Sequence, residues 1–213
     1  MASKHPKHAQ ADHDILGVIR ERWSPRAFDP ARPLSRRDLH RLFEAARWAP
    51  SSANEQPWRF VVLDRHRAPE EFAALHAALT ASNQTWASSA PVLMLVAVSL
   101  VHSRTGGVNH SAWYDTGQAV GYLTLQATEM GVGIRQMEGF DRALVRVACA
   151  VPDSHEPAVV MAVGYPGDPE SLVVERHRVS EGEPRSRQAI EAFVFEGRWG
   201  SPFQTSGEPP SGD

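Results

Sequence analysis

Two short segments of the chain set a pair of arginines at even spacing beside a proline, four residues apart in Arg22-Trp23-Ser24-Pro25-Arg26 and two apart in Glu183-Pro184-Arg185-Ser186-Arg187. Proline pushes the preceding residue toward extended backbone, and extended backbone sends alternate side chains to the same side. Each segment can therefore aim two guanidiniums at a phosphate or another anion, the first with the Ser24 hydroxyl between them. Arginines near helix ends also serve as dipole partners or solvated surface charge, and the residue types alone leave that alternative open.

Two further stretches could meet a polar ligand. Ala49-Pro50-Ser51-Ser52-Ala53-Asn54-Glu55-Gln56-Pro57-Trp58 is a run of small and amide residues between an amphipathic helix and an apolar strand. It can present hydroxyls, amides and backbone N–H groups, or it can be a loop that caps itself. In Gln136-Met137-Glu138-Gly139-Phe140-Asp141, Gly139 lets backbone approach a flat ligand closely. Glu138 is either an acid or a loop residue whose backbone matters, and Asp141 is placed to cap the next helix.

The composition narrows the classes. The chain has 213 residues, 42% of them hydrophobic, which suits a single domain with a real core. A net charge of −3 gives no global field for nucleic acid. Arginine far outnumbers lysine, either from composition bias or because arginine grips phosphate at two points. The single cysteine, Cys149, can form no internal disulfide and reads as a buried structural thiol. No apolar signal core opens the chain, and the apolar run Ala90 to Val101 is too short to span a bilayer. A soluble cytoplasmic protein is expected, with no membrane partner. His5, His8 and His13 lack the further ligands of a metal site.

These groups must be positioned by an α+β or α/β framework. The pattern predicts a disordered arm over 1–11, a single domain over 12–200 and a flexible tail over 201–213. Helices are expected from about Asp12 to before Pro25, from Ser35 as N-cap to Pro50, over Ala68 to Ala81, over Ser111 to Met130 and over Asp141 to Ala148. Strands are expected at Trp58 to Leu63, Pro91 to Leu100 and Ala158 to Tyr165, with a last extended piece at Glu191 to Phe195. The Ser111–Met130 helix carries small residues on more than one face, which suits a central helix or one packed on a second subunit.

Taken together and in order, R-x-S-x-R (Arg22 to Arg26), A-P-S-S-x-N-x-Q-P-W (Ala49 to Trp58), N-Q-x-W-A (Asn83 to Ala87), D-x-G-Q-A (Asp115 to Ala119), M-E-G-F-D (Met137 to Asp141) and P-R-S-R (Pro184 to Arg187) resemble the FMN-dependent nitroreductase family. The resemblance spans about residues 14 to 200. It implies a three-layer α+β sandwich, a mostly antiparallel central sheet flanked by helices, and an intertwined homodimer with FMN at the subunit interface. It gives Arg22, Ser24, Arg185 and Arg187 to the phosphate and ribityl chain, with Trp23 in the same segment, and Arg26 to the pyrimidine end of the flavin. Pro50, Ser51, Ser52 and Asn54 would come from the partner protomer. Asn83 would face the pyrimidine edge. The Met137–Glu138–Gly139 loop would supply a backbone N–H to flavin N5.

The activity so implied is ping-pong hydride transfer from NADH or NADPH to a nitroaromatic, a quinone or a similar small acceptor. The flavin does the chemistry, so no catalytic side chain is required. Gln136 departs from a proline found near this place in many members, which bears on the acceptor rather than on FMN. The loop from His102 to Trp113 is the expected substrate lid, with His110, Trp113 and Tyr114 as contacts or, for the last two, packing residues. Dehalogenation, enoyl reduction or flavin fragmentation on the same fold, and a flavin-storage module without turnover, are the rival readings.

Overall fold

Val92-Leu93-Met94-Leu95-Val96 is apolar at every position, and both faces of the strand it forms are buried. Leu93 and Leu95 enter one core with Phe72, Leu75, Trp86 and Val145, while Val92, Met94 and Val96 enter another with Leu39, Leu42, Leu123 and Ala127. An uninterrupted apolar strand with two buried faces requires a layer of helices on each side.

The computed structural model describes residues 5–203 and supplies those layers. The elements are α1 (Gly17–Glu21), α2 (Arg36–Arg47), β1 (Trp58–Asp64), α3 (Pro69–Ala77), α4 (Ala81–Ala87), β2 (Val92–Ser99), α5 (Ala112–Glu129), β3 (Gly133–Met137), α6 (Arg142–Ala148), β4 (His155–Gly164) and α7 (Glu175–Gly182). The sheet order is β1-β2-β4-β3, with each neighbouring pair antiparallel. Helices α2 and α5 cover one face, and α3, α4 and α6 the other. The expected α+β sandwich with an antiparallel sheet is present.

The local reasons are visible. Ser35 caps α2, its hydroxyl accepting from the Asp38 N–H at 3.0 Å. Asp141 caps α6 by accepting from Ala143 and Leu144 N–H at 2.9 and 3.0 Å. Gly133 begins β3 where a Cβ would lie 2.5 Å from Pro25 Cγ, so the glycine lets the segment after α1 lie against the sheet.

Several expectations are corrected. Helix α1 starts at Gly17 rather than near Asp12, because Ile15, Leu16 and Ile19 find no core and a short helix without burial does not propagate. The helix expected over 68–81 ends at Ala77, and α4 follows as a separate helix. Residues 190–192 form a 3-10 turn instead of an extended piece. In the arm, Ala9 N–H donates to the Arg20 carbonyl at 2.8 Å and His5 lies 5.1 Å from Trp23, ring to ring. In the tail, Phe203 N–H donates to the Val194 carbonyl at 3.0 Å. The rest of the arm and tail expectations, at residues 1–4 and 204–213, lies outside the described residues. Among the described residues no helix is long and apolar enough to cross a membrane, and no cluster of metal-ligating side chains is found.

Candidate functional site

The turn after α1, strand β3, and the segment from Ser180 to Arg187 meet around a cavity of about 240 Å³. Arg22, Trp23, Ser24, Arg26, Arg185 and Arg187 all line it, so the two alternating arginine segments converge as their spacing suggested. Lys7 and Arg135 line it as well. Neither was anticipated. Arg135 sits on a strand that the pattern did not reveal, and Lys7 belongs to the arm expected to be disordered.

Each cation has an identifiable holder. Arg22 Nη1 donates to Ser24 Oγ at 3.1 Å, and Arg26 Nη1 to Ser180 Oγ at 2.9 Å. Arg135 Nη1 donates to the Ser24 carbonyl at 2.7 Å, and its guanidinium carbon lies 5.4 Å over the Trp86 ring. Arg185 donates to three carbonyls: Lys7 at 2.5 Å, Arg22 at 2.5 Å and Arg20 at 2.7 Å. Its guanidinium thus fastens two stretches of backbone, at residue 7 and at residues 20–22. Arg187 donates to the Ser186 carbonyl at 2.7 Å and is otherwise exposed.

The charge in the cavity is unbalanced. Six cationic side chains face two carboxylates, Glu181 and Glu183. Burial, and then the neighbouring Arg187, hold Arg22 below the ordinary guanidinium range. Burial does the same to Arg185, with Arg22 and Arg187 adding repulsion. Arg135 is brought down to about 10, mainly by burial and next by Arg26. Like charges gathered in a half-buried space are relieved by an anion.

Glu181 is only 3% exposed, and burial raises its carboxyl above the usual range. Its Oε1 accepts from the Arg26 N–H at 3.1 Å, while Oε2 has no hydrogen-bond partner among the described residues. The buried His177, one turn earlier on α7, likewise has an unpartnered Nδ1. Sequence reasoning singled out neither, since Glu175–Gly182 has no amphipathic stripe.

A second part of the site lies at Gly139. Its carbonyl accepts from the Thr80 N–H at 2.9 Å and from Asn83 Nδ2 at 3.1 Å. Phe140 N–H donates to the Glu138 carbonyl at 3.0 Å and closes a tight turn. A Cβ on Gly139 would lie 2.9 Å from Thr80 Oγ1 and 3.0 Å from Asn83 Nδ2. Asn83 therefore holds this loop with part of its amide. Helix α4 joins the two parts of the site, since it carries Asn83 toward Gly139 and Trp86 toward Arg135. The Met137 side chain is 3% exposed and packs in the core with Trp86, so it is not a wall of the cavity.

The run after α2 stands elsewhere, and none of Pro50, Ser51, Ser52 or Asn54 lines the basic cavity. Ala53, Asn54 and Gln56 have φ of 51°, 57° and 48°, in the left-handed region that non-glycine residues rarely adopt. The strain is held from outside. Ser52 N–H donates to the buried Asp115 of α5 at 3.0 Å, and Gln56 N–H to Ser51 Oγ at 3.0 Å. Glu55 accepts from the Ser103 N–H at 2.8 Å and lies 3.6 Å from His102 Nδ1. The loop expected to be a lid is thus a small closed hairpin tied to this run. His110 is exposed just before α5. Trp113, 49% exposed, lines a cavity of about 280 Å³ with Val96, Gly117, Gln136 and Val159, while Tyr114 is 74% exposed. The half-buried Cys149 thiol is raised to about 11 by burial, which fits an inert thiol.

Comparison with known proteins gives this arrangement a family. The model of the nitroreductase family matches residues 19–165. An uncharacterized 15.4 kDa protein of Mycolicibacterium smegmatis is 34% identical over 142 residues, covering 64% of this chain and 89% of that protein. A putative NAD(P)H nitroreductase of Bacillus subtilis is 34% identical over 84 residues, a match that spans only 39% of this chain and 38% of the relative. A crystal structure described as an oxidoreductase containing FMN superposes with a TM-score of 0.82 at 29% identity, covering 94% of this chain and all of the other.

Proposed function

This chain belongs to the nitroreductase family, and on that premise we propose that it is an FMN-dependent NAD(P)H oxidoreductase acting on nitroaromatics, quinones or similar acceptors. The observation that carries the reading is the cavity in which six cations oppose two carboxylates. That donor set fits the phosphate of FMN, a dianion that needs several charge-assisted hydrogen bonds. Gly139 lets the turn pack closely on Thr80 and Asn83, where a Cβ would crowd both, and the peptide before it is our candidate for the flat part of the cofactor. When bound, FMN supplies hydride transfer between a nicotinamide donor and an oxidised acceptor.

The residues of the chain bind and orient. Arg22, Ser24 and Arg187 hold the phosphate end, and Arg185 fixes the backbone around it. Arg26 keeps a positive charge at the inner end, beside Ser180 and Glu181. Thr80 and Asn83 fix the Gly139–Phe140 peptide through the Gly139 carbonyl, and the adjoining Glu138–Gly139 peptide offers its N–H as a donor. The strained Ser51–Asn54 run completes the site of a second protomer. The outer face of α5, where Trp113, Tyr114 and Tyr122 stand exposed beside the open glycines Gly117 and Gly121, packs against that protomer. Both substrates use the open face of the cofactor, as no glycine-rich dinucleotide fingerprint follows a strand.

Anaerobic titration tests the reading. The purified protein is expected to be yellow, to bleach with NADH or NADPH, and to recover colour with a quinone or a nitroaromatic. A protein that takes up no FMN, or a yellow one that neither nicotinamide bleaches, overturns it.

A further inference from the structure

The family match begins at residue 19, yet one cation of the cavity comes from well before it. Lys4 and Lys7 are the only lysines of a chain that uses arginine everywhere else, and both lie in the arm. Residues 5–9 are fastened across the cavity wall. His5 faces Trp23 at 5.1 Å between ring centroids, Ala9 N–H donates to the Arg20 carbonyl at 2.8 Å, and the Lys7 carbonyl accepts from Arg185 Nε at 2.5 Å. The Lys7 ammonium donates to the Ser180 carbonyl.

A guanidinium has five N–H donors and an ammonium three. Arg185 has committed three of its donors to backbone carbonyls. Lys7 has committed one to Ser180 and keeps two at the cavity. Burial, the largest influence, holds the Lys7 ammonium below its ordinary range; Glu181 and Glu183 stabilise its charge, while Arg26 and Arg185 repel it. We propose that Lys7 is a phosphate-binding residue supplied by the N-terminal arm, which straps the phosphate end of the cavity while Arg185 holds the strap. The proposal rests on the FMN reading and adds to it a contact from outside the matched family region.

The test compares two flavins that differ only in the phosphate. Flavin-free full-length protein is titrated with FMN and with riboflavin by fluorescence, as wild type and as Lys7→Gln. The variant is expected to bind FMN about tenfold more weakly, as for loss of one hydrogen bond to a charged group, and riboflavin unchanged. Inorganic phosphate is expected to raise the melting temperature of the flavin-free wild type more than that of Lys7→Gln, a comparison that holds even if the variant is less stable. Equal weakening for both flavins, no weakening, or an equal phosphate effect overturns the proposal and leaves the FMN reading standing. Wild-type protein that binds neither flavin overturns the FMN reading and the proposal with it.

Discussion

Arg135 on β3 donates to the carbonyl of Ser24 at 2.7 Å, across 111 residues of chain. One cation of the cavity therefore also holds the backbone that carries Arg22 and Arg26.

Replacing that cation should have two effects. Arg135→Met keeps the length and removes the donors. Stability is expected to fall by about 1.5–3 kcal/mol, the range for a hydrogen bond to a charged group, and FMN to bind at least about tenfold more weakly. Denaturant melts of the flavin-free protein and a flavin titration read the two losses separately. Unchanged values in both would show that the Ser24 bond positions nothing.

Arg187 is exposed and makes one backbone hydrogen bond, so it is free for an anion. Arg187→Ala is expected to weaken FMN about tenfold with little change in melting temperature. The dependence of FMN affinity on salt should become shallower, since one charge contact is lost. A variant with wild-type affinity at every salt concentration would remove Arg187 from the phosphate grip.

Glu181 makes stability depend on pH. Burial raises its folded carboxyl above the unfolded value of about 4.3. The folded chain then binds the proton more tightly. This contribution is fully present below the unfolded pKa and is lost as pH rises through the folded one. Relative to wild type, Glu181→Gln should therefore melt higher at about pH 7 than at about pH 4, and it should bind FMN more tightly because a negative charge has left the cavity. Parallel melting curves across pH would refute the assignment.

Gly139→Ala places a methyl 2.9 Å from Thr80 Oγ1 and 3.0 Å from Asn83 Nδ2. The cost is expected to be about 1–3 kcal/mol, as for other overpacked sites, with FMN retention falling alongside. Pairing it with Thr80→Ser, which keeps the hydroxyl and removes the nearby methyl at 3.2 Å, should recover part of the stability. Thermal melts of the single and double variants measure that recovery.

Shared sites predict complementation. Arg187→Ala protomers mixed with Asn54→Gly protomers should regain flavin in their heterodimers. Glycine accepts the φ of 57° at position 54 without strain, so the second variant removes only the amide. Sedimentation checks the dimer, and absorbance of the separated heterodimer checks the flavin. Heterodimers without bound flavin would place Asn54 outside the partner's site.

Much of the framework was legible because it is written in periodicity. The all-apolar Val92–Val98 announced a strand buried on both faces, and Ser35 with Asp38 announced the start of α2. The alternating arginines were legible in spacing, and the cavity gathers all four with Ser24. Other parts had no local signal. Strand β3 carries Arg135 and Gln136 among its five residues, and α7 is charged on every side. Lys7 was hidden for another reason: its place is set by Arg185, whose partners are 163 to 178 residues away in sequence. Contacts of that range leave no pattern in a short window.

The cavity walls at residues 7, 22–26, 135 and 180–187 come from both ends of the chain as well as its middle. The sheet needs the chain only as far as Gly164, where its last strand, β4, lies between β2 and β3. The basic cavity closes only after Arg185 has emerged and reached back to Lys7, Arg20 and Arg22. On the proposed reading, a chain truncated before residue 185 is expected to keep its sheet and to remain colourless.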